Sequence, residues 1–118
     1  MTPFGRRLRE MRAERNILMK DMASALGVSS AYLSALEHGN RGRPSSGLVQ
    51  QISAYFNLAW DDVDELKRLA ELSHPRVVVD TAGLSPKATE LANRLAEVIR
   101  KLSDQDVEDI LLKLRRED

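Results

Sequence analysis

The chain of 118 residues contains no cysteine, so neither a disulfide framework nor a thiolate metal site is open to it. Its two histidines, His38 and His74, are isolated and cannot make a metal site alone. No apolar run approaches the roughly 18 residues of a membrane span. The N-terminus is polar and basic, without the apolar stretch of a signal peptide. Net charge is absent too, since 18 Lys and Arg balance 18 Asp and Glu. No internal repeat or low-complexity segment is present. The expectation is a cytoplasmic protein that needs no cofactor and no membrane, built as one small domain or a domain with an appendage.

Catalytic groupings are missing as well. His38 and His74 have no nucleophile nearby in sequence. Asp61, Asp62, Asp64 and Glu65 lack the glycine turn and the oxygen pattern of a calcium loop, and read as the solvated start of a helix. No enzyme is expected.

The balanced charge hides an uneven distribution. Residues 1–44 carry a net +4, residues 45–75 a net −3 and residues 76–118 a net −1. A basic first third is the electrostatic footprint of a chain that meets a polyanion, even when the sum vanishes. The excess is modest, so affinity for nucleic acid without regard to sequence should be modest and sensitive to salt.

Seven helices are legible. Thr2 caps the first, with Pro3 at its first position and Phe4, Leu8 and Met11 as its buried stripe. The second covers roughly 19–26 and has Leu18, no capper, before it. The third starts after Ser29 and ends near Gly39. After a loop at 40–44, a fourth helix starts near Ser45 or Ser46, with Leu48, Ile52, Tyr55 and Phe56 facing inward. A fifth begins near Asp61 and Asp62, where acids suit a helix N-terminus, and buries Val63, Leu66, Leu69 and Ala70. Residues 1–73 then form one domain. Residues 74–84 form a linker punctuated by Pro75 and Gly83; its valines, Val77 to Val79, pack on the domain or pair as a short strand with a second chain.

Residues 85–118 read as a helical hairpin. Ser85 and Pro86 open a helix running to about Leu102, and Ser103 with Asp106 three residues on makes a capping box for the last one. Leu91, Leu95, Val98 and Leu102 on the first helix, and Val107, Ile110, Leu111 and Leu114 on the second, exceed what two helices can bury on each other. This face is expected to dimerise, with folding back onto the first and fifth helices as the alternative.

The segment MKDMASALGVSSAYLSALEH, Met19 to His38, carries the functional signal. Two short helices meet over a tight turn. Ala23 is small where the backbones cross, Gly27 supplies a left-handed turn residue, and Val28, Leu33 and Leu36 form an inner stripe. The opposite stripe, Ser30, Ala31, Ser34 and Ala35, is small and free to enter a DNA major groove. This segment, with FGRRLREMRAERN upstream and LEHGNRGRPSSGLVQQISAYFNL downstream, resembles the helix-turn-helix of the phage lambda repressor and Cro-like group, often called the XRE family. The likeness covers roughly residues 4 to 72.

The resemblance implies an all-α, five-helix DNA-binding domain followed here by the C-terminal hairpin. It implies that Ser30, Ala31 and Ser34 read base edges in double-stranded DNA, with Ala35 at the groove floor and Ser29 at the helix start. Tyr32, Lys20, Asn40, Arg41 and Arg43 would contact the backbone, the two arginines on a loop that Gly42 lets come close. Met19 stands where relatives commonly carry a phosphate-binding Gln, a departure that Lys20 would compensate. Of Arg6, Arg7 and Arg9, one or two would be plain solvated surface. Arg12 and Glu37 match positions that form a salt bridge between the first and third helices. The function implied is a homodimeric repressor on an inverted-repeat operator in the bacterial or phage nucleoid. An autoregulating antitoxin, or an interaction module meeting a protein partner through the hairpin, are the rivals.

Overall fold

The computed structural model describes residues 1–115; Arg116 to Asp118, the end of the expected hairpin, lie outside the described residues. It is all-helical, with no strand among the described residues. The elements are α1 (Pro3–Glu14), α2 (Met19–Leu26), α3 (Ser30–Glu37), α4 (Ser46–Tyr55), α5 (Trp60–Glu71), α6 (Pro86–Val98), a short 3-10 turn (Ile99–Lys101) and α7 (Asp104–Arg115). The chain forms two compact units, residues 1–77 and the residues from Val78 on.

Local chemistry sets the helix starts. Thr2, Ser29, Ser45 and Ser85 each accept, through the side-chain oxygen, the N–H three residues on. Each satisfies one of the donors that a helix start leaves unpaired. α2 begins after Leu18 with no side-chain cap. α5 begins earlier than its acids suggest: Ala59 is the capping position and Trp60 the first helical residue, so Asp61 and Asp62 occupy the first turn. There they oppose the positive end of the helix dipole.

α1 to α4 end alike. Asn16, Gly27, Gly39 and Asn57 are left-handed, and the residue after each donates its N–H back to a carbonyl five residues earlier: Ile17 to Arg12, Val28 to Ala23, Asn40 to Ala35 and Leu58 to Ser53. Ile17, Val28 and Leu58 then pack against the core, the apolar contact that accompanies this termination.

The core of the first unit is aliphatic with two aromatics. Phe4, Leu8 and Met11 of α1, Met22 of α2, Leu33 and Leu36 of α3, Ile52 of α4 and Leu66 of α5 are all but inaccessible. On α4 the buried face differs from the expected one. Val49 and Ser53 are buried and Tyr55 only half-buried. Ser53 tolerates this because its hydroxyl donates to Val49 O at 2.8 Å. Val63 and Leu69 of α5 are half-buried.

In the second unit α6 stops at Val98, short of the expected Leu102, and the chain tightens into the 3-10 turn at the β-branched pair Val98–Ile99. Ser103 and Asp106 form the capping box of α7. None of the described residues of α6, the turn or α7 is buried. Val77, Val78 and Val79 are also exposed and lie in no strand among the described residues.

Candidate nucleic-acid interface

Gly27 turns α2 into α3 with φ 73°, a conformation that costs a residue without Cβ little. Ala23, 2% exposed, lies in the core beside it. α3 buries Leu33 and Leu36 and turns its other side outward. Ser30 and Ala31 are exposed; Ser34 and Ala35 are partly covered rather than fully free. Tyr32 is half-buried and packs against the core. Ser29 is occupied as the cap, holding Tyr32 N at 3.0 Å. Met19 also packs against the core, which explains an apolar side chain at that position.

The far end of α3 is anchored by several independent contacts. Glu37 is fully buried, and Arg12 Nη2 donates to both of its carboxylate oxygens, at 3.1 and 2.9 Å. The N-terminal segment crosses the same place: Thr2 N donates to Glu37 O at 3.0 Å. Gly5 lies so close that a Cβ there would stand 2.2 Å from Glu37 O. Ser73, just past α5, accepts from Phe4 N at 2.9 Å. Thus α1 joins the end of α3 to the end of α5. Sequence reasoning found Arg12–Glu37 but missed Gly5 and Ser73, whose neighbours lie far along the chain. His38 forms the C-cap of α3, its Nδ1 lying 2.8 Å from Ser34 O.

The basic charge of the first 44 residues sorts into two groups. Arg6 pairs with Glu10, and Arg7 lies within reach of Glu10, Glu14 and Glu65. Arg12 serves Glu37, and Arg15 pairs with Glu14 while its guanidinium sits 5.0 Å from the centre of the Phe56 ring. Arg9, Lys20, Arg41 and Arg43 have no ion pair among the described residues, and all four are exposed. Three of them, Lys20, Arg41 and Arg43, flank α3 in the chain. Asn40 is exposed beside them. Arg43 also borders an open groove of about 530 Å³ shared with Ser45, Ser46, Gln50, Lys67 and Glu71.

Among the described residues no cluster of His, Cys, Asp or Glu could hold a metal ion, and no helix is long and apolar enough to cross a membrane. The helix-turn-helix domain family profile matches residues 5–72, more than half of the chain. The chain belongs to this helix-turn-helix family. Relatives with the same domain include the uncharacterized HTH-type transcriptional regulator RghRB of Bacillus subtilis, 33% identical over 63 residues, which are 53% of this chain and 45% of that protein. The HTH-type transcriptional repressor RghR of Bacillus subtilis is 31% identical over 61 residues, 52% of this chain and 45% of that one. The HTH-type transcriptional regulator DdrOP3 of Deinococcus deserti is 41% identical over 59 residues, 50% of this chain and 45% of that one. The chain spans about half the length of these curated relatives. For this helix-turn-helix protein, the XRE-like resemblance of the Met19–His38 segment therefore holds.

The C-terminal residues expected to dimerise lie outside the core. Leu91, Val98, Val107, Ile110 and Leu114 are exposed, while Leu95, Leu102 and Leu111 are half-covered. Ile99 and Leu112, absent from that expectation, are also exposed.

Proposed function

We propose that this helix-turn-helix protein is a sequence-specific transcription regulator that binds double-stranded DNA as a homodimer and represses by occupying a promoter. One observation carries the reading: α3 offers an exposed N-terminal half, the exposed cations Lys20, Arg41 and Arg43, without an ion pair among the described residues, flank it in the chain, and its other end is held by the Arg12–Glu37 pair. A recognition helix must be presented rigidly, because base contacts discriminate only if the side chains reach the groove in one register. The name of the relative RghR, a repressor, supports repression.

Within this reading Ser30, Ala31 and Ser34 meet base edges and Ala35 lies at the groove floor. Serine hydroxyls accept or donate to several bases, and alanine methyls contact thymine methyl groups, so direct readout is shallow. Lys20, Asn40, Arg41 and Arg43 hold the phosphates, and Tyr32 steadies the helix. A two-fold dimer would set two recognition helices roughly 34 Å apart on successive major grooves, which calls for an inverted-repeat operator. Residues 85–118 would supply the dimer contact.

The test is selection of bound sequences from a random DNA library by the purified protein. A palindromic motif that weakens when Arg41 and Arg43 are both changed to Ala supports the reading. No enriched motif from the intact protein overturns it, and shifts attention to a protein partner.

A further inference from the structure

The second unit carries an apolar face without a core. Along α7, Val107, Ile110, Leu111 and Leu114 follow one stripe, with Val107 36%, Ile110 38% and Leu114 60% exposed. A lone helix of 12 residues is marginal in water and takes its stability from an apolar face that something covers.

We propose that α7 is covered by α7 of a second copy of this chain, running antiparallel to it across a two-fold axis that passes between Ile110 and Leu111. This deepens the homodimer reading above and rests on it.

The stripe and the charges obey different symmetries about the same point. The apolar pattern is symmetric: Val107 and Leu114 lie equally far from the midpoint of Ile110 and Leu111. Within α7 the charge pattern is opposite in the two halves: Asp104, Asp106, Glu108 and Asp109 precede the midpoint, and Lys113 and Arg115 follow it. A two-fold interface brings residue i to residue j and j to i. In the antiparallel register that superimposes the stripes, Val107 of each copy meets Leu114 of the other.

The flanks then match in charge. Arg115 Nη1 lies 3.2 Å from Glu108 Oε1, so these two residues, seven apart, share one flank of the stripe. Asp104, four residues before Glu108, shares it too. Asp106 and Lys113, also seven apart, share the other flank. Like flanks face each other in an antiparallel pair. Arg115 of one copy therefore comes level with the gap between Asp104 and Glu108 of the second, and Lys113 comes beside Asp106. The axis repeats every such contact. A parallel pair does the reverse, setting acidic half on acidic half and basic half on basic half with the helix dipoles aligned.

Because the chain has no cysteine, single introduced thiols report orientation cleanly. Val107→Cys and Leu114→Cys forms of the 118-residue chain are mixed, oxidised in air with copper–phenanthroline, and the linked peptides identified by mass spectrometry. The expected product is the mixed crosslink between positions 107 and 114. Independently, Lys113→Glu with Arg115→Glu should raise the dimer dissociation constant by about tenfold or more in sedimentation equilibrium, because attraction becomes repulsion at each contact. The charge-conserving Lys113→Arg with Arg115→Lys should leave it unchanged. Circular dichroism of each variant separates loss of dimer from loss of fold. Crosslinks joining like positions in a protein that still dimerises would overturn the antiparallel arrangement and spare the homodimer. A monomer at every concentration would overturn both, and binding to a selected half-site would then show whether the DNA reading survives.

Discussion

Arg12 of α1 reaches Glu37 at the end of α3 and donates from Nη2 to both carboxylate oxygens, and Glu37 has no solvent exposure at all. An ion pair this deep stabilises less than its geometry suggests, because both charges have left water. Its consequence is positional: Glu37 cannot leave its place without stranding the Arg12 guanidinium, and α3 is fixed with it. Replacing Glu37 by Ala should destabilise the first unit by about 3–5 kcal/mol, since a buried charge is left unpaired. Urea unfolding would measure this. Changing both partners, Arg12→Met with Glu37→Leu, should cost much less than Glu37→Ala alone. Simple additivity of the single changes would contradict the coupling.

Gly5 lets α1 and the end of α3 touch backbone to backbone. A Cβ at this position would lie 2.7 Å from both Cα and the carbonyl carbon of Glu37, and closer still to its oxygen. None of these atoms belongs to a flexible side-chain tip, so the helices must separate. Gly5→Ala should cost about 1–3 kcal/mol, in the range of other overpacked sites. A melting temperature equal to that of the unaltered protein would refute the close approach.

Arg41 and Arg43 are exposed and make no ion pair among the described residues. Arg41→Ala and Arg43→Ala should each leave stability within about 0.5 kcal/mol. If they hold phosphates, each should also lower the slope of log affinity against log salt by about 1, across specific and unrelated DNA alike. Affinity measured by fluorescence anisotropy at several salt concentrations decides this; an unchanged slope removes the loop from the interface.

Ser73 closes the first unit. Its hydroxyl accepts from Phe4 N and donates to Leu69 O, and Pro75 comes close to Gly39. Ser73→Ala leaves the buried Phe4 N–H without that acceptor and should cost about 1–3 kcal/mol. A chain ending at Val77 should unfold cooperatively on heating. One ending at Leu72 should melt at a lower temperature, because it lacks both contacts. Equal melting temperatures for the two fragments would show that the closure contributes nothing.

Helix starts were readable where the cause is local. Thr2, Ser29, Ser45 and Ser85 cap because each hydroxyl reaches an N–H three residues away, whatever the rest of the chain does. Gly27 and Gly39 were readable for the same reason, whereas Asn16 and Asn57 take the same left-handed role less conspicuously. Periodicity identified Phe4, Leu8 and Met11, but on α4 it favoured Tyr55 over Val49. Both positions fit a helical stripe, and only the placement of α2 and α5 against α4 decides which is buried. Trp60, 87% exposed at the start of α5, gave no sequence signal of that exposure.

The candidate interface divides along the same line. The turn at Gly27, the small outer residues of α3 and the arginine loop stand together within Met19 to Arg43, so the sequence by itself determined the helix-turn-helix and the side chains it can present. Which cations stay available was decided by tertiary structure: Arg7 comes near Glu65 from α5, and Arg12 reaches Glu37 from α3. Tertiary structure also decided that Gly5 must be glycine and that Ser73 belongs to the first unit. The physical reason is range. Caps, turns and helical stripes arise from forces acting within a few residues, while burial, ion pairing and close backbone approach depend on what the fold brings from far along the chain.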